Sequence, residues 1–245
     1  MLKQGLFTIA ENAPLTPRVS RLRLTGDVSA VAGPGQFVQI RVPGFSLRRP
    51  FSVGEKSAED LTVCYQAAGP GTRALRLLTP GQSLDVLSGL GNSFDLSRAG
   101  ASPLLIGGGT GASPLLYLAR ELLAHQIRPQ VILGFGSRDE VFLTEAFQAL
   151  GLAPVLTTAD GSAGLRGLVT DAMDRAHSFF YACGPLPMLR AVCEKSPVSG
   201  QVSLEARMGC GFGACMGCTI QTAKGPRRVC REGPVFDKEE LLWED

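Results

Sequence analysis

Apolar and polar residues alternate along the first third of the chain. In Gln36-Phe-Val-Gln-Ile-Arg-Val42, Val38, Ile40 and Val42 take every second position, the signature of a strand with one buried face. Leu61, Val63 and Tyr65 repeat the pattern, as do Leu22 and Leu24 between Arg21 and Arg23. Gly-Pro and Pro-Gly pairs punctuate these runs, which predicts a small antiparallel barrel or sandwich over residues 1–98. Near Ala101 the rhythm changes. Pro103-Leu-Leu-Ile106 is a continuous apolar run. Leu115, Leu118 and Leu122, with Leu116, Ala119 and Leu123, then recur at spacings of three and four, which predicts a helix over 112–125. Further strands are expected at 131–135, 154–158, 179–182 and 202–204, with helices at 140–149, 168–175 and 186–193. Strand and helix in this order predict a Rossmann-like α/β domain over 99–204, its sheet mostly parallel and covered by helices on both faces. From Glu205 to Asp245 periodicity gives way to glycine and cysteine, and a small third module is expected.

Charge and composition mainly exclude. A formal net charge of +2 offers no electrostatic case for nucleic acid or an anionic membrane as partner. No apolar run approaches the ~20 residues that span a bilayer, and the first residues lack a signal-peptide core. A cytoplasmic protein is expected, in which seven cysteines mean metal ligands or free thiols, not disulfides. With only His125 and His177 there is little material for a histidine metal centre or a catalytic triad.

The densest chemistry lies in Glu205-Ala-Arg-Met-Gly-Cys-Gly-Phe-Gly-Ala-Cys-Met-Gly-Cys218, followed by Cys230. Cys210, Cys215, Cys218 and Cys230 read C-x4-C-x2-C-x11-C, the plant-type ferredoxin spacing in which four thiolates hold a [2Fe–2S] cluster. Gly209, Gly211, Gly213 and Gly217 let the backbone wrap closely and turn amides toward sulfur. Four thiolates also suit structural zinc, although zinc ribbons usually pair two C-x2-C units and here there is one.

Two nucleotide signals precede it. Arg48-Arg-Pro-Phe-Ser52 combines a guanidinium for a pyrophosphate, an aromatic for an isoalloxazine ring and a hydroxyl to bond it. Gly69-Pro-Gly-Thr-Arg73 then opens a helix whose free amides would face an anion. Gly107-x-Gly109-x-x-Ala112 sits between a strand and a helix, as a dinucleotide fingerprint does, and no Gly-Lys-Ser/Thr follows to make it a nucleoside-triphosphate loop. Cys183-Gly-Pro185 follows another apolar strand, where ligands of such sheets bind. Cys183 reads equally well as a buried apolar thiol, and on residue type alone Cys64 and Cys193 read as packing thiols.

In this order the motifs resemble the ferredoxin–NADP⁺ reductase superfamily and, over essentially the whole chain, the electron-transfer subunits of NAD-dependent (B-type) dihydroorotate dehydrogenase. The most specific part is Glu205–Cys218 with Arg228-Val-Cys-Arg-Glu-Gly-Pro-Val-Phe236. The resemblance implies an FAD-binding barrel, an NAD-binding α/β domain and a [2Fe–2S] module. It puts FAD on Arg49, Pro50, Phe51 and Ser52, on Cys64, Tyr65 and Gln66, and on Gly71 and Thr72. Relatives often carry Arg where this chain has Gln66. Arg48 is expected to be a solvated neighbour. NAD would use Gly107, Gly108, Gly109, Thr110 and Gly111 with Cys183, Gly184 and Pro185, and the cluster would use the four cysteines. The implied partner is an FMN-containing catalytic subunit in a heterotetramer of two of each. The implied activity is a relay from that FMN through the cluster and FAD to NAD⁺, in pyrimidine biosynthesis. Flavin/iron–sulfur subunits of hydrogenases or transhydrogenases are rivals, as is a zinc-stapled binding protein on a degenerate reductase fold. NAD against NADP is balanced by Gly136-Ser-Arg138, which could hold a 2′-phosphate, and by Asp139 and Glu140 just after it.

Overall fold

The computed structural model describes residues 2–243. Seven strands form the first sheet: β1 (Lys3–Pro14), β2 (Val19–Thr25), β3 (Phe37–Arg41), β4 (Arg49–Ser52), β5 (Glu55–Lys56), β6 (Asp60–Gln66) and β7 (Ser83–Leu90). Their order is β4-β3-β7-β1-β2-β6-β5, antiparallel throughout. The sheet curls so far that Phe51 of β4 and Tyr65 of β6 bring their rings to 5.6 Å. The alternating positions explain the curl. Val38, Ile40, Leu22, Leu24, Leu61, Val63 and Tyr65 point inward and share one core with Leu75 of helix α1 (Pro70–Arg76). That helix starts earlier than its apolar positions suggest, because Pro70 fits a first helical turn, where its missing N–H costs nothing.

The second sheet contains β8 (Leu104–Gly108), β9 (Gln130–Phe135), β10 (Val155–Thr158), β11 (Leu165–Arg166), β12 (Phe180–Cys183) and β13 (Gly200–Ser203). All are parallel and buried on both faces where they are central, so they read as continuous apolar runs. Helices α2 (Ala112–Ala124) and α3 (Thr144–Ala149) share one core with the sheet, and α4 (Leu186–Lys195) shares the other. Helix α2 also joins the barrel: Tyr117 enters the barrel core and Arg120 pairs with Glu55. Cys193 is buried in the α4 core.

Two sequence expectations need correction. The helix expected over 140–149 begins only at Thr144, because Leu143 has φ 63° and the Glu140 carboxylate is drawn back to the Gly136 amide. The helix expected over 168–175 is one 3-10 turn, Val169–Ala172. Val169 and Met173 are buried in the core with Ala172 packed partly against it, and Asp171 closes the turn by accepting from the Leu168 amide.

The last segment carries a hairpin, β14 (Thr219–Thr222) with β15 (Gly225–Arg228), and then β16 (Val235–Asp237), which pairs antiparallel with β13. Cys218, Val229, Cys230 and Leu241 share a core with Phe37, Leu87 and Leu90 of the barrel and with the sheet. The cysteine segment is therefore wedged against both larger units. Among the described residues no helix is long and apolar enough to cross a membrane.

Candidate functional site

Three features converge where the barrel, the second sheet and the cysteine segment meet. Strand order in the second sheet reverses between β8 and β12, so the connections after them leave in opposite directions and open a crevice. Gly107 stands opposite Cys183 in this ladder, which sets the glycine turn beside Cys183-Gly-Pro185. The glycines are there because nothing larger fits. A Cβ on Gly111 would lie 2.1 Å from the Cys183 carbonyl oxygen, and one on Gly108 would meet Met188 Sδ at 2.5 Å.

A cleft with about 890 Å³ of empty space opens between β4, β6 and this crevice. It gathers Pro50, Phe51, Ser52, Cys64, Tyr65, Gln66, Thr110, Gly111 and Cys183, residues from four separate stretches of the chain. Arg49 and Gly71 lie outside it but touch each other: a Cβ on Gly71 would come within 2.8 Å of the Arg49 guanidinium. Arg49 also covers the Phe45 ring at 5.4 Å. The Thr72 hydroxyl is spent on the helix start, accepting from the Gly69 amide at 3.0 Å. Arg48 departs from expectation. It is half-buried rather than solvated, and its guanidinium bonds Asp85 Oδ2 at 2.7 Å and the Asp85 carbonyl at 2.9 Å.

The cleft floor disfavours charge. Burial pushes the Cys183 thiol up to about 12, and burial likewise raises Cys64 and Tyr65, whose hydroxyl donates to Asn12 Oδ1 at 2.9 Å. Glu205 lines the same cleft, open to solvent through it, and desolvation by the surrounding protein raises its carboxyl. Residue-type patterns pointed to neither Glu205 nor Phe37 as a cleft residue. Glu205 was legible only as the first letter of the cysteine motif.

A second, mostly apolar cleft with about 940 Å³ of empty space lies across the glycine turn. Gly108, Gly109 and Pro185 line it together with Gly136, Glu140 and Met188. Glu140 accepts from the Gly136 amide at 3.0 Å, at the end of β9. Arg138 is turned away, its Nε bonded to the Ser162 carbonyl at 3.0 Å. The two clefts share one wall, the Gly109–Thr110 turn.

The cysteines are gathered as two pairs. The Cys215 amide donates to Cys210 Sγ at 3.4 Å, and the Cys230 amide to Cys218 Sγ at 3.4 Å. Among the described residues no three Cys, His, Asp or Glu side chains close on one point, as a single metal ion would need. Two sulfurs for each of two irons is what a [2Fe–2S] cluster requires, so the donor set fits that group. Electrostatics agree. Burial raises the Cys210 thiol, but the amides of Cys215, Phe212 and Ala214 outweigh it and bring the group down to about 6. Burial and the adjacent Cys218 sulfur push Cys230 up to about 12, since neighbouring thiolates cannot both ionise without a cation. All seven cysteines are free. Arg228 braces the loop, bonding the Gly213 carbonyl at 2.7 Å while Glu232 holds it from the other side.

A curled antiparallel sheet, a switch-point nucleotide crevice and a four-thiol loop define a flavin- and nucleotide-linked reductase with an iron–sulfur module. Residues 205–242 match the family described as the iron-sulfur cluster binding domain of dihydroorotate dehydrogenase B, and residues 105–194 match the oxidoreductase NAD-binding domain. The chain is 39% identical over 253 residues to the dihydroorotate dehydrogenase B (NAD(+)) electron transfer subunit of Lysinibacillus sphaericus, covering 97% of this chain and 98% of that one. It is 42% identical to the same subunit of Caldanaerobacter subterraneus subsp. tengcongensis, covering 86% and 87%. Among solved structures, an NADH-dependent reduced ferredoxin–NADP oxidoreductase studied for flavin-based electron bifurcation superposes with TM-score 0.87 at 28% identity, covering 98% of this chain and 90% of that one. Phthalate dioxygenase reductase shares the fold, with TM-score 0.66 at 16% identity over 90% and 87%. The chain belongs to the electron-transfer subunits of dihydroorotate dehydrogenase B.

Proposed function

We propose that this chain carries electrons from an FMN-bearing dihydroorotate dehydrogenase catalytic subunit to NAD⁺, holding FAD, a [2Fe–2S] cluster and the nucleotide in the three places described. When bound, the flavin links one-electron exchange with the cluster to two-electron hydride transfer with the nicotinamide. The residues position rather than react. Pro50, Phe51, Ser52, Cys64, Tyr65 and Gln66 form the wall for the isoalloxazine, and Phe51 and Tyr65 keep water from one side. Arg49, beside Gly71 and Thr72, neutralises the FAD pyrophosphate. Gly107, Gly108, Gly109, Thr110 and Gly111 let the nucleotide approach the backbone, and Cys183, Gly184 and Pro185 seat the nicotinamide end. Cys183 stays a neutral thiol there, so it neither attacks nor repels. Glu140 offers a carboxylate to the adenosine ribose and would repel a 2′-phosphate, which favours NAD. Cys210, Cys215, Cys218 and Cys230 hold the cluster.

The observation that carries this reading is adjacency. The flavin cleft borders the nucleotide cleft at Gly109–Thr110, and Ala206 and Met208, just before the cysteine loop, line its other end. Beside that loop, Leu2, Leu47 and Phe212 leave an apolar surface around Cys210, with Met216 also exposed. This surface suits the catalytic partner in a heterotetramer of two of each chain. The higher identity to dihydroorotate dehydrogenase subunits favours that partner over the one used by the bifurcating oxidoreductase. The reconstituted chain alone should oxidise NADH with an artificial acceptor and form no orotate. Adding the FMN-bearing subunit should couple orotate formation to NAD⁺ reduction. Orotate production by this chain alone would overturn the assignment.

A further inference from the structure

Gln39 stands at the centre of β3, a position where the strand needs only an apolar residue. Its flanking Val38 and Ile40 point into the barrel core, so Gln39 points the other way, toward the cysteine segment. There it is fully buried, and both polar atoms of its amide lack a hydrogen-bond partner. Among the described residues the other buried side-chain groups without partners are single hydroxyls, of Ser20, Thr144 and Thr157. The Gln39 amide leaves two polar atoms unpaired, and each carries the desolvation cost of a buried polar group.

What it faces is specific. A Cβ on Gly211 would lie 2.1 Å from Gln39 Nε2, so the amide rests directly on the residue after Cys210. Across the ladders Gln39 stands opposite Leu87, which lines the hollow beside Cys210, and opposite Pro50, which lines the flavin cleft. Phe37, two residues earlier on the same face, also lines that cleft. Gln39 therefore occupies the strip of protein between the cysteine loop and the flavin cleft.

We infer that the Gln39 side-chain amide is a hydrogen-bond donor to the sulfur of the iron–sulfur centre held by the Cys210 loop, and that it raises the reduction potential of that centre. The inference rests on the [2Fe–2S] reading given above. Its physical basis is charge: reduction adds a negative charge spread over the sulfurs, and an N–H aimed at them stabilises the reduced form more than the oxidised one. Gln39 is a positioning and tuning residue, not a ligand. Gly211 is required so that the amide can lie this close.

Gln39→Met removes the donor and keeps the length, and Gln39→Glu keeps the shape while replacing N–H by oxygen. Redox titration of the visible and EPR signals should find the cluster roughly tenfold less reduced in Gln39→Met at a fixed poise, about 59 mV lower for a one-electron couple. Gln39→Glu should fall lower still at alkaline pH, where its buried carboxyl ionises and adds a negative charge. Iron content and the oxidised absorption spectrum should stay as in the parent. Unchanged potentials in both variants, with iron retained, would overturn the role of Gln39 and leave the cluster reading standing. A parent protein with no iron–sulfur spectrum would instead remove that reading, and the inference with it. Should neither variant load iron, the parent carrying ¹⁵N in its glutamine side chains decides by ENDOR of the reduced cluster. A ¹⁵N coupling that survives in Gln4→Ala supports Gln39, since Gln4 is the other glutamine beside Cys210 and its amide is tied to Asp85. No coupling overturns the inference.

Discussion

Around the flavin cleft Phe51, Ser52, Tyr65 and Cys183 sit on strands whose register is set by hydrogen-bonded neighbours, whereas the cysteine loop hangs between one hairpin and a junction of glycines. These four residues lie where sheet pairing puts them, and together they shape the cleft. The loop has no ladder through Cys210 and Cys215, and it uses positive φ at Gly211, Gly213 and Met216. Its sulfurs stand as two pairs, and within them the Cys210 thiol is lowered while the Cys230 thiol is raised. The cleft is thus shaped by strand register, and the loop is one whose sulfurs are held together by positive charge. Losing one contact should weaken the first and abolish the second.

The strongest test of this contrast is removal of a sulfur. Replacing any one of Cys210, Cys215, Cys218 or Cys230 by Ser should abolish most iron binding, because oxygen replaces thiolate poorly at a soft site. Cys193→Ser should leave iron unchanged, since that thiol is buried beside α4. The contrast breaks if Cys193→Ser loses the iron while Cys230→Ser keeps it.

A graded loss is expected at the flavin cleft. Arg49→Ala removes a charge-assisted contact worth roughly 1.5–3 kcal/mol, so FAD should bind about 10- to 100-fold more weakly while the apoprotein stays folded. Fluorescence titration of released FAD measures this. Arg48→Ala should leave FAD affinity nearly unchanged, and equal weakening by both would remove the Arg49 contact.

Arg48 should instead be felt in acid stability. Burial raises the Asp85 carboxyl, but the Arg48 guanidinium outweighs it and holds the folded group below its usual range. A depressed carboxylate contributes stability that is complete above its unfolded value, about 3.9, and is lost as pH falls through the lower folded value. Melting temperatures of parent and Arg48→Ala should therefore differ most near neutral pH and converge below about pH 4. A gap that persists once the pH is below the folded value and the carboxylate is protonated would point to lost packing and not to the ion pair.

The smallest effect concerns nucleotide choice. NADH should exceed NADPH in kcat/KM with an artificial acceptor, and Glu140→Ala should narrow the ratio by roughly tenfold or less. Arg138→Ala should change it little, because Arg138 is bonded toward Ser162. A parent preference for NADPH would reverse the roles given to these two residues.

Much of this was legible in the chain itself. Strand periodicity located β2, β3 and β6, and spacings of three and four located α2 to within a residue. Local pattern failed at 140–149 and 168–175. At 140–149 the Glu140 carboxylate turns back to the Gly136 amide and Leu143 takes φ 63°, so the helix starts only at Thr144, and at 168–175 the chain makes one 3-10 turn and stops. Arg48 and Arg49 could not be told apart either, since neighbours on a strand face opposite sides and only the sheet says which side holds Asp85.

The sequence alone was enough for the chemistry that depends on local spacing: four cysteines at ferredoxin intervals, glycines between a strand and a helix, and Arg-Pro-Phe-Ser on a strand. Those groups lie within a few residues of one another, so backbone geometry by itself limits what they can hold. Only the tertiary structure decided what is brought together from afar. It set Glu205 facing Cys183 across a cleft, put Glu140 rather than Arg138 on the nucleotide wall, and buried Gln39 beneath Gly211. Gln39 is the clearest case, because a polar residue on the outer face of a strand reads as solvent-facing until another segment of the chain covers it.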